Sequence, residues 1–291
     1  MNVQLVASCL GLALNACDMY LTRKEEKALI WRSPFRVTIV KILYILSRYL
    51  GLTCQIYNVS RSAYWKHRYT TIPQHSCDSH LVFKTLGAQS LLAILHIILM
   101  LRVYALYNKT FSMVLILMLI YAARLAATIW TTLKHWDVYK MDFDYICFTT
   151  EPLNSGYGMI IFITAEALFE IIIHTLIARK TWSLPGTWSK TPTLMSVLTR
   201  DGFYVFFAIF VGMVSALGGS RGRGPATLFV NPLLVFVISC AGSRVIIRLQ
   251  RFGSEEESDS ASSQGSDMFS TIAWDIRTFP NLESGQPDDQ K

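Results

Sequence analysis

The chain has 291 residues, of which 52% are hydrophobic and only 16% are charged, and its mean hydropathy is +0.35. Soluble domains carry about 25% charged residues, so this composition excludes an ordinary soluble fold and favours a membrane protein. The net charge of +7 comes from Lys and Arg between apolar segments. That distribution predicts contact with a bilayer surface and no nucleic-acid partner.

Seven apolar segments are close to the length that a helix needs to cross about 30 Å of hydrocarbon, roughly 17–25 residues. They cover residues 3–19, 37–57, 81–104, 111–131, 157–178, 203–217 and 226–247, and the first and sixth are short. Backbone polar groups in lipid must be bonded within the segment, so helices are expected. The first segment lacks the basic start and the cleavage site of a signal peptide, so it is expected to remain as a span.

The expected fold is therefore an all-α, polytopic membrane bundle of seven transmembrane helices over residues 1–251. Residues 252–291 are polar, acidic and rich in serine, which predicts a disordered cytoplasmic tail. The connections on one side of the bundle hold 14 Lys and Arg, against seven on the other. Because basic residues accumulate on the cytoplasmic side, we expect the N-terminus outside and the C-terminus in the cytoplasm. The expected location is the plasma membrane or another membrane of the secretory pathway.

This topology places two of the six cysteines on the outer side, where a disulfide can persist. Cys77 lies at the outer end of the third span and Cys147 lies in the connection between the fourth and fifth, so we predict a bridge between them. Two free thiols are the alternative. The other four cysteines lie in spans and are expected to be small core residues: Cys9, Cys17, Cys54 and Cys240. His75, Cys77 and His80 match no ordinary zinc spacing, so no metal site is expected.

Six of the ionisable side chains inside predicted spans are candidates for a functional site, because a charge there costs at least ~2.5–3.5 kcal/mol on insertion scales and needs a partner or a function. They are Arg48, His96, Arg124, Glu166, Glu170 and His174. The last three are spaced four apart and form one stripe on the fifth span. At ~1.5 Å per residue, Glu170 lies at about the depth of Arg48, and Glu166 at about that of Arg124. Two interpretations stay open: a polar pocket that binds a small ligand or moves protons, and interhelical ion pairs that fix helix register.

Catalytic motifs are absent from the sequence. There is no nucleophile elbow, no HExxH, no phosphate-binding glycine loop and no dinucleotide fingerprint. We therefore expect neither an enzyme nor a bound cofactor, and an intramembrane enzyme is the third choice among the functions considered.

Several short sequence motifs lie near the ends of the predicted spans. They include Asp18 to Thr22, Glu25-Glu26, Leu29 to Trp31, Leu46 to Tyr49, Leu101 to Tyr107, Arg200 to Tyr204, and Ser243-Arg244 with Leu249. Together they resemble a large family of fungal integral membrane proteins, mostly from basidiomycetes, that begin with an N-terminal domain of unknown function.

The resemblance is strongest in residues 12–58, and Cys17 departs from it because an aromatic residue is usual there. It implies a seven-helix membrane protein with no established biochemical activity. The positions that carry the motifs are Asp18, Thr22, Trp31, Arg48, Tyr49, Arg102, Tyr104, Asp201, Gly202 and Arg244.

A receptor-like role, in which the bundle senses an unknown ligand, is the leading expectation. Seven spans, an outer bridge to the third span and a serine-rich tail follow the general plan of G-protein-coupled receptors, although no acidic residue precedes Arg102. A small-molecule transporter is the alternative, weakened because Pro232 is the only proline well within a span. The expected partners are the lipid bilayer, a small ligand and a cytoplasmic signalling protein.

Overall fold

The computed structural model describes residues 2–31, 39–68, 74–107, 110–134, 156–182, 203, 206–212, 214–215 and 226–260. Seven helices run along this part of the chain, and it contains no strand. They are α1 (Asn2–Leu29), α2 (Ile39–Arg68), α3 (Gln74–Leu106), α4 (Phe111–Lys134), α5 (Gly156–Trp182), α6 (helical residues 206–212) and α7 (Ala226–Ser260). The predicted all-α fold of seven helices is confirmed.

Six of these helices, α1 to α5 and α7, are long and apolar enough to cross a membrane. This indicates an integral, multi-pass membrane protein. Their candidate spans are Val3–Leu29, Ile39–His67, His75–Tyr104, Phe111–Thr131, Ile160–Lys180 and Phe229–Arg248. The side of the membrane on which each terminus lies stays a prediction.

Three helices continue well past the ends expected from hydropathy, and one of them is α2, which was expected to end at Tyr57 and runs to Arg68. The first helix was expected to end at Met19, but α1 runs to Leu29, so a charged stretch of the chain is helical. This is possible because the polar side chains on its inner face find partners on α2 and α7, as described below. The last helix continues to Ser260, so residues 252–260 are helical, whereas residues 261–291 of the predicted tail lie outside the described residues.

Two helices occupy the centre of the bundle. α7 packs against α1, α2 and α3, and α3 packs in addition against α4 and α5, which also contact each other. The core between α3, α5 and α7 is apolar and includes Leu91, Leu95, Phe169, Ile173 and Ile238. α4 lies at the edge, and most of its exposed side chains are large and apolar, as expected of a helix that faces lipid tails.

The cysteines follow the prediction only in part. Cys54 and Cys240 are buried, but Cys9 and Cys17 are exposed on α1, so for these two the expectation of core positions was wrong. Cys77 is buried near the start of α3 and is not among the free thiols. Its predicted partner Cys147 lies outside the described residues, so the bridge stays a prediction.

Candidate functional site

Three polar side chains form a buried stripe on α1. Asp18, Thr22 and Glu26 are spaced four apart, which brings them to one face of the helix, and each is at least nine-tenths buried. The Thr22 hydroxyl donates to the Asp18 carbonyl at 2.8 Å, which satisfies it within the helix. Because Thr22 donates to a backbone carbonyl, the Asp18 and Glu26 carboxylates can accept hydrogen bonds from side chains of other helices.

Arg48 on α2 binds to this stripe. Its side chain is only 1% exposed, and its Nη2 donates to Thr22 Oγ1 at 2.5 Å. Its Nε lies 3.8 Å from Glu26 Oε2, and its guanidinium lies 5.6 Å from the centre of the Tyr44 ring. A cation at this depth is tolerable because a carboxylate, a hydroxyl and an aromatic face surround it.

Arg244 on α7 completes the arrangement. Its Nη2 and Nε donate to the same oxygen of Asp18, Oδ1, at 2.7 and 3.0 Å. Two carboxylates therefore face two guanidinium groups in what we call the α1–α2–α7 cluster, whose members are Asp18, Thr22, Glu26, Arg48 and Arg244. The two carboxylates and the two guanidinium groups that are in contact within this cluster therefore sum to zero charge.

A polar seam joins α2 to α7 further along both helices. Ser239 Oγ donates to the Ser47 carbonyl at 2.9 Å, and Ser47 Oγ donates back to the Ser239 carbonyl at 3.3 Å. Gln55 Nε2 donates to the carbonyl of Pro232 at 2.7 Å. The two backbones approach so closely at Gly51 that an added Cβ there would lie 2.6 Å from Ser239 Cβ. Small residues and side-chain hydrogen bonds are the usual means of joining helices in lipid.

A second group of ionisable side chains lies between α3, α4 and α5. Arg124 Nη2 donates to Glu166 Oε1. His96 Nε2 lies 3.1 Å from Glu170 Oε1 and 3.6 Å from Glu166 Oε2, so the imidazole sits between two carboxylates. His174 Nε2 is 3.6 Å from Glu170 Oε2. These five residues form the α3–α4–α5 cluster.

The α3–α4–α5 cluster is deeply buried and incompletely bonded. His96 is 0% and Glu166 3% exposed. Neither His96 Nδ1 nor Glu166 Oε2 has a hydrogen-bond partner. In this cluster one guanidinium faces two carboxylates, and the His96 imidazole lies between them.

Two small voids flank Glu170. The first is lined by His96, Glu166 and Glu170 together with Phe206, Ile209 and Phe210 of α6, and the second by Glu170 and His174 together with apolar residues of α3, α6 and α7. Each has a volume of about 10 Å³. That is close to the room that one water needs and far below the ~300–1,000 Å³ of a small-molecule pocket.

The remaining motif positions are distributed around these clusters. Trp31 follows α1 and its Nε1 donates to Glu26 Oε1 at 3.1 Å. Tyr49 is exposed on α2, whereas Arg102 is buried and Tyr104 half-buried on α3. Asp201 and Gly202 lie outside the described residues.

The depths estimated from the rise per residue along each helix predicted only some of the contacts between these residues. They placed Glu166 beside Arg124, and these two residues are in contact. They also placed Glu170 at the depth of Arg48, but Arg48 turns to α1 and Glu170 contacts His96. Glu26 was missed as a partner of Arg48, although its spacing from Asp18 was visible, because that stretch was assigned to a connection.

His80, which the sequence places near Cys77, lies against aromatic rings. Its ring centre is 4.8 Å from that of Trp65 and 5.6 Å from that of Tyr57. Among the residues whose positions are described, no group of three or more His, Cys, Asp or Glu side chains could hold a metal ion.

Comparison with protein families finds one match, to the Family of unknown function (DUF6533), over residues 5–53. This confirms the predicted N-terminal domain of unknown function, whereas a fungal origin and the extension of the family to the rest of the chain stay predictions. No curated protein and no solved structure matches significantly. The matched segment covers most of α1 and half of α2, and it supplies Asp18, Thr22, Glu26 and Arg48 of the α1–α2–α7 cluster.

Proposed function

We propose that this chain is a receptor-like multi-pass membrane protein, in which a stimulus rearranges the α3–α4–α5 cluster and the movement passes to a cytoplasmic partner. The observation that carries the proposal is the position of α3. This helix packs against α2, α4, α5 and α7 and holds His96 between two carboxylates of α5. A change in the ionic contacts of His96 would therefore displace helices on both sides of α3.

A switch needs an element with two arrangements of similar free energy, one of which the stimulus favours. The α3–α4–α5 cluster is suited to this role, because its ionic contacts join three helices and hold His96 between two carboxylates. The α1–α2–α7 cluster is not, because its opposite charges are already paired. The α1–α2–α7 cluster is therefore suited to hold α1, α2 and α7 in place while α3 and α5 move.

The packing favours signalling over transport of a solute. The voids beside the ionisable groups hold about 10 Å³ each, and α7 stays helical through Pro232 instead of breaking there. Transporters of the alternating-access type bind their substrates at broken helices near the midplane. The voids at this cluster have room for about one water, so a larger stimulus such as a sugar or an amino acid would bind elsewhere on the bundle and act on the cluster through the packing of α3.

The test uses cells that express the full chain with a reporter of heterotrimeric G-protein activation. The stimuli are a panel of sugars and amino acids and steps of external pH. We expect the reporter to respond to one stimulus, and we expect the double variant R124L/E166L, which removes the ion pair but keeps apolar volume, to lose that response.

Purified protein in lipid vesicles provides the opposing measurement. The same sugars and amino acids, radiolabelled, should not accumulate above the level of protein-free vesicles. Accumulation of any of them, abolished by R124L/E166L, would overturn the receptor-like proposal in favour of transport.

A further inference from the structure

We propose that α2 and α3, at the ends that adjoin residues 69–73, hold a binding site for a phosphate group, which the headgroup of a membrane lipid supplies. The site, which we call the α2–α3 end cluster, consists of Arg61, Trp65, Ser76, His80 and Lys84. Along α3, roughly 24 Å separates His80 from His96 of the α3–α4–α5 cluster. The site is therefore distinct from the polar clusters described above and does not depend on the receptor-like role.

Trp65 brings the polar groups of the two helices together. The His80 ring centre lies 4.8 Å from that of Trp65, and the Arg61 guanidinium carbon lies 5.4 Å from the centre of the same indole. The Ser76 hydroxyl oxygen accepts from Arg61 Nη2 at 2.9 Å and from Trp65 Nε1 at 3.3 Å. Lys84 follows His80 by one helical turn and so lies on the same face of α3. The charges of Arg61 and Lys84 both act on His80.

The α2–α3 end cluster offers hydrogen-bond donors that have no acceptor. Arg61 Nε and both ring nitrogens of His80 are buried without a partner. Ser76 Oγ already accepts two bonds, so its remaining capacity is to donate. Within the described residues, the Lys84 ammonium makes no hydrogen bond and no ion pair. The group that would complete this cluster is therefore an acceptor with several oxygens.

The charges at this end of the two helices are positive. In the part of the chain that the structure describes, no Asp or Glu forms an ion pair with Arg61 or Lys84. Asp78 precedes His80 by two residues, so the two side chains do not share a face of α3. The neighbouring halves of α1 and α7, residues 2–17 and 226–243, contain no charged residue. A phosphate has both the negative charge and the acceptor oxygens that arginine and lysine bind.

The exposure of the residues leaves the site open to a ligand. Arg61, Ser76 and Lys84 are half-buried, so a phosphate can reach them from the surface of the bundle. His80 is 2% exposed and lies behind them against Trp65, which is 1% exposed. The half-buried groups therefore form the edge of the site, and the two buried rings form its back.

The position along the helices favours a lipid as the source of the phosphate. Val82 and Leu86 flank Lys84 in sequence and are 48% and 62% exposed, as expected where lipid tails contact the bundle. A lysine at this depth needs a partner or a route to the interface. α2 and α3 have 30 and 33 residues. These lengths are roughly 45 and 50 Å, against ~30 Å of hydrocarbon, so their shared end can reach the headgroup layer.

Native mass spectrometry of the full-length protein tests the site by counting the lipids bound per chain. The protein is purified in a maltoside detergent, which contains no phosphate, and mixed with phosphatidic acid, whose headgroup is a phosphate alone. Diacylglycerol, which lacks that phosphate, and inorganic phosphate are the comparison probes. We expect the wild type to retain one phosphatidic acid per chain and no diacylglycerol, and we expect inorganic phosphate not to displace the lipid.

Substitutions identify the groups that bind the phosphate. R61M and K84M each remove a charge and keep an unbranched apolar stem, and each should weaken the retention of phosphatidic acid by about tenfold or more, because a charge-assisted hydrogen bond is lost. K84R keeps the charge and should retain the lipid like the wild type. The matched control is K66M, which changes an exposed lysine at the same end of α2 and should leave retention unchanged.

Thermal unfolding separates a binding role of His80 from a purely structural one. Phosphatidic acid should raise the Tm of the wild type, because a ligand that binds the folded state stabilises it. H80F keeps an aromatic ring against Trp65 and removes the unpartnered nitrogens. Without lipid, its Tm should equal or exceed that of the wild type. With phosphatidic acid, its Tm should rise by less than that of the wild type, and a rise as large would remove His80 from the site.

The remaining outcomes decide between the sources of the phosphate and test the site itself. Retention of phosphatidic acid by wild type and K84R, with loss in R61M and K84M, supports the lipid site. Displacement of the lipid by inorganic phosphate would keep the phosphate site and overturn the lipid as its source. Equal retention by wild type, R61M and K84M would overturn the site. Equal retention of phosphatidic acid and diacylglycerol by the wild type would also overturn it, even where a variant does not fold.

Discussion

The two polar clusters differ in how their charges are matched. In the α1–α2–α7 cluster, Asp18 and Glu26 face Arg244 and Arg48, and a seam of serines and glycines continues the contact between α2 and α7. In the α3–α4–α5 cluster, two carboxylates face one guanidinium, with a histidine between them. Both lie in the same bundle, but Arg244 of the first cluster is 54% exposed, whereas Arg124 of the second is 3% exposed.

The difference teaches what polar residues in a membrane bundle can be used for. A balanced set of charges has one favourable arrangement, so it fixes the register of its helices. An unbalanced set changes its best arrangement when a proton is added or removed, so it can act as a switch. Substitutions in the polar clusters and in the seam test this contrast, because each is expected to lower the free energy of unfolding by a different amount.

The largest loss is expected when Glu166 is removed alone. E166L leaves the Arg124 cation buried without its carboxylate, and breaking a buried pair in this way costs about 3–5 kcal/mol. R124L/E166L should recover most of this loss, because an apolar pair needs no desolvation. Equilibrium unfolding of the purified protein in mixed micelles measures both, and equal losses in the single and double variants would show that Arg124 is solvated without Glu166.

A smaller loss is expected from crowding the seam between α2 and α7. G51A places a methyl group against Ser239, and overpacking of this kind costs about 1–3 kcal/mol. The matched control is G212A on α6, where the nearest atom is the mobile end of Leu234 at 3.2 Å. The same unfolding measurement should find G212A neutral or stabilising, and an equal loss in both variants would mean that helix approach at Gly51 is not tight.

D18N should cost less, about 0.5–1 kcal/mol, although Asp18 itself is buried. Its partner Arg244 is 54% exposed, so its side chain can turn to solvent or to lipid headgroups when the carboxylate is lost. Cross-linking of α1 to α7 through engineered cysteine pairs, together with unfolding, would report the loosened contact. A loss as large as that of E166L would indicate that Arg244 is held as rigidly as Arg124.

The smallest effect is expected for E170Q, within about 0.5 kcal/mol of the wild type near neutral pH, because the amide removes unbalanced charge and keeps a polar contact to His96. Unfolding curves of E170Q and of wild type at matched pH decide this. A loss of several kcal/mol would mean that the contact between the Glu170 carboxylate and His96 stabilises the fold as strongly as a buried ion pair.

Much of the fold follows from the order of apolar and polar residues along the chain. Segments of about twenty apolar residues can satisfy their backbone in lipid only as helices, so composition and spacing suffice to predict a multi-pass bundle. The stripe of Glu166, Glu170 and His174 on one face of α5 follows from the helical repeat alone. The part of α1 beyond Met19 was missed, because hydropathy treats charged residues such as Glu26 as unsuited to a span and carries no information on their partners.

What only the tertiary structure decided is which polar group meets which. Arg48 could reach carboxylates at similar depth on other helices, but the packing of α1 against α2 and α7 brings Thr22 and Glu26 to it instead. The spacing of residues along one helix determines which face they share, and it carries no information on which helix lies opposite that face. The sequence therefore determined that a membrane bundle forms with ionisable groups inside it. The arrangement of the helices decided that in one group each carboxylate meets its own arginine, whereas in the other two carboxylates meet one arginine and a histidine between them.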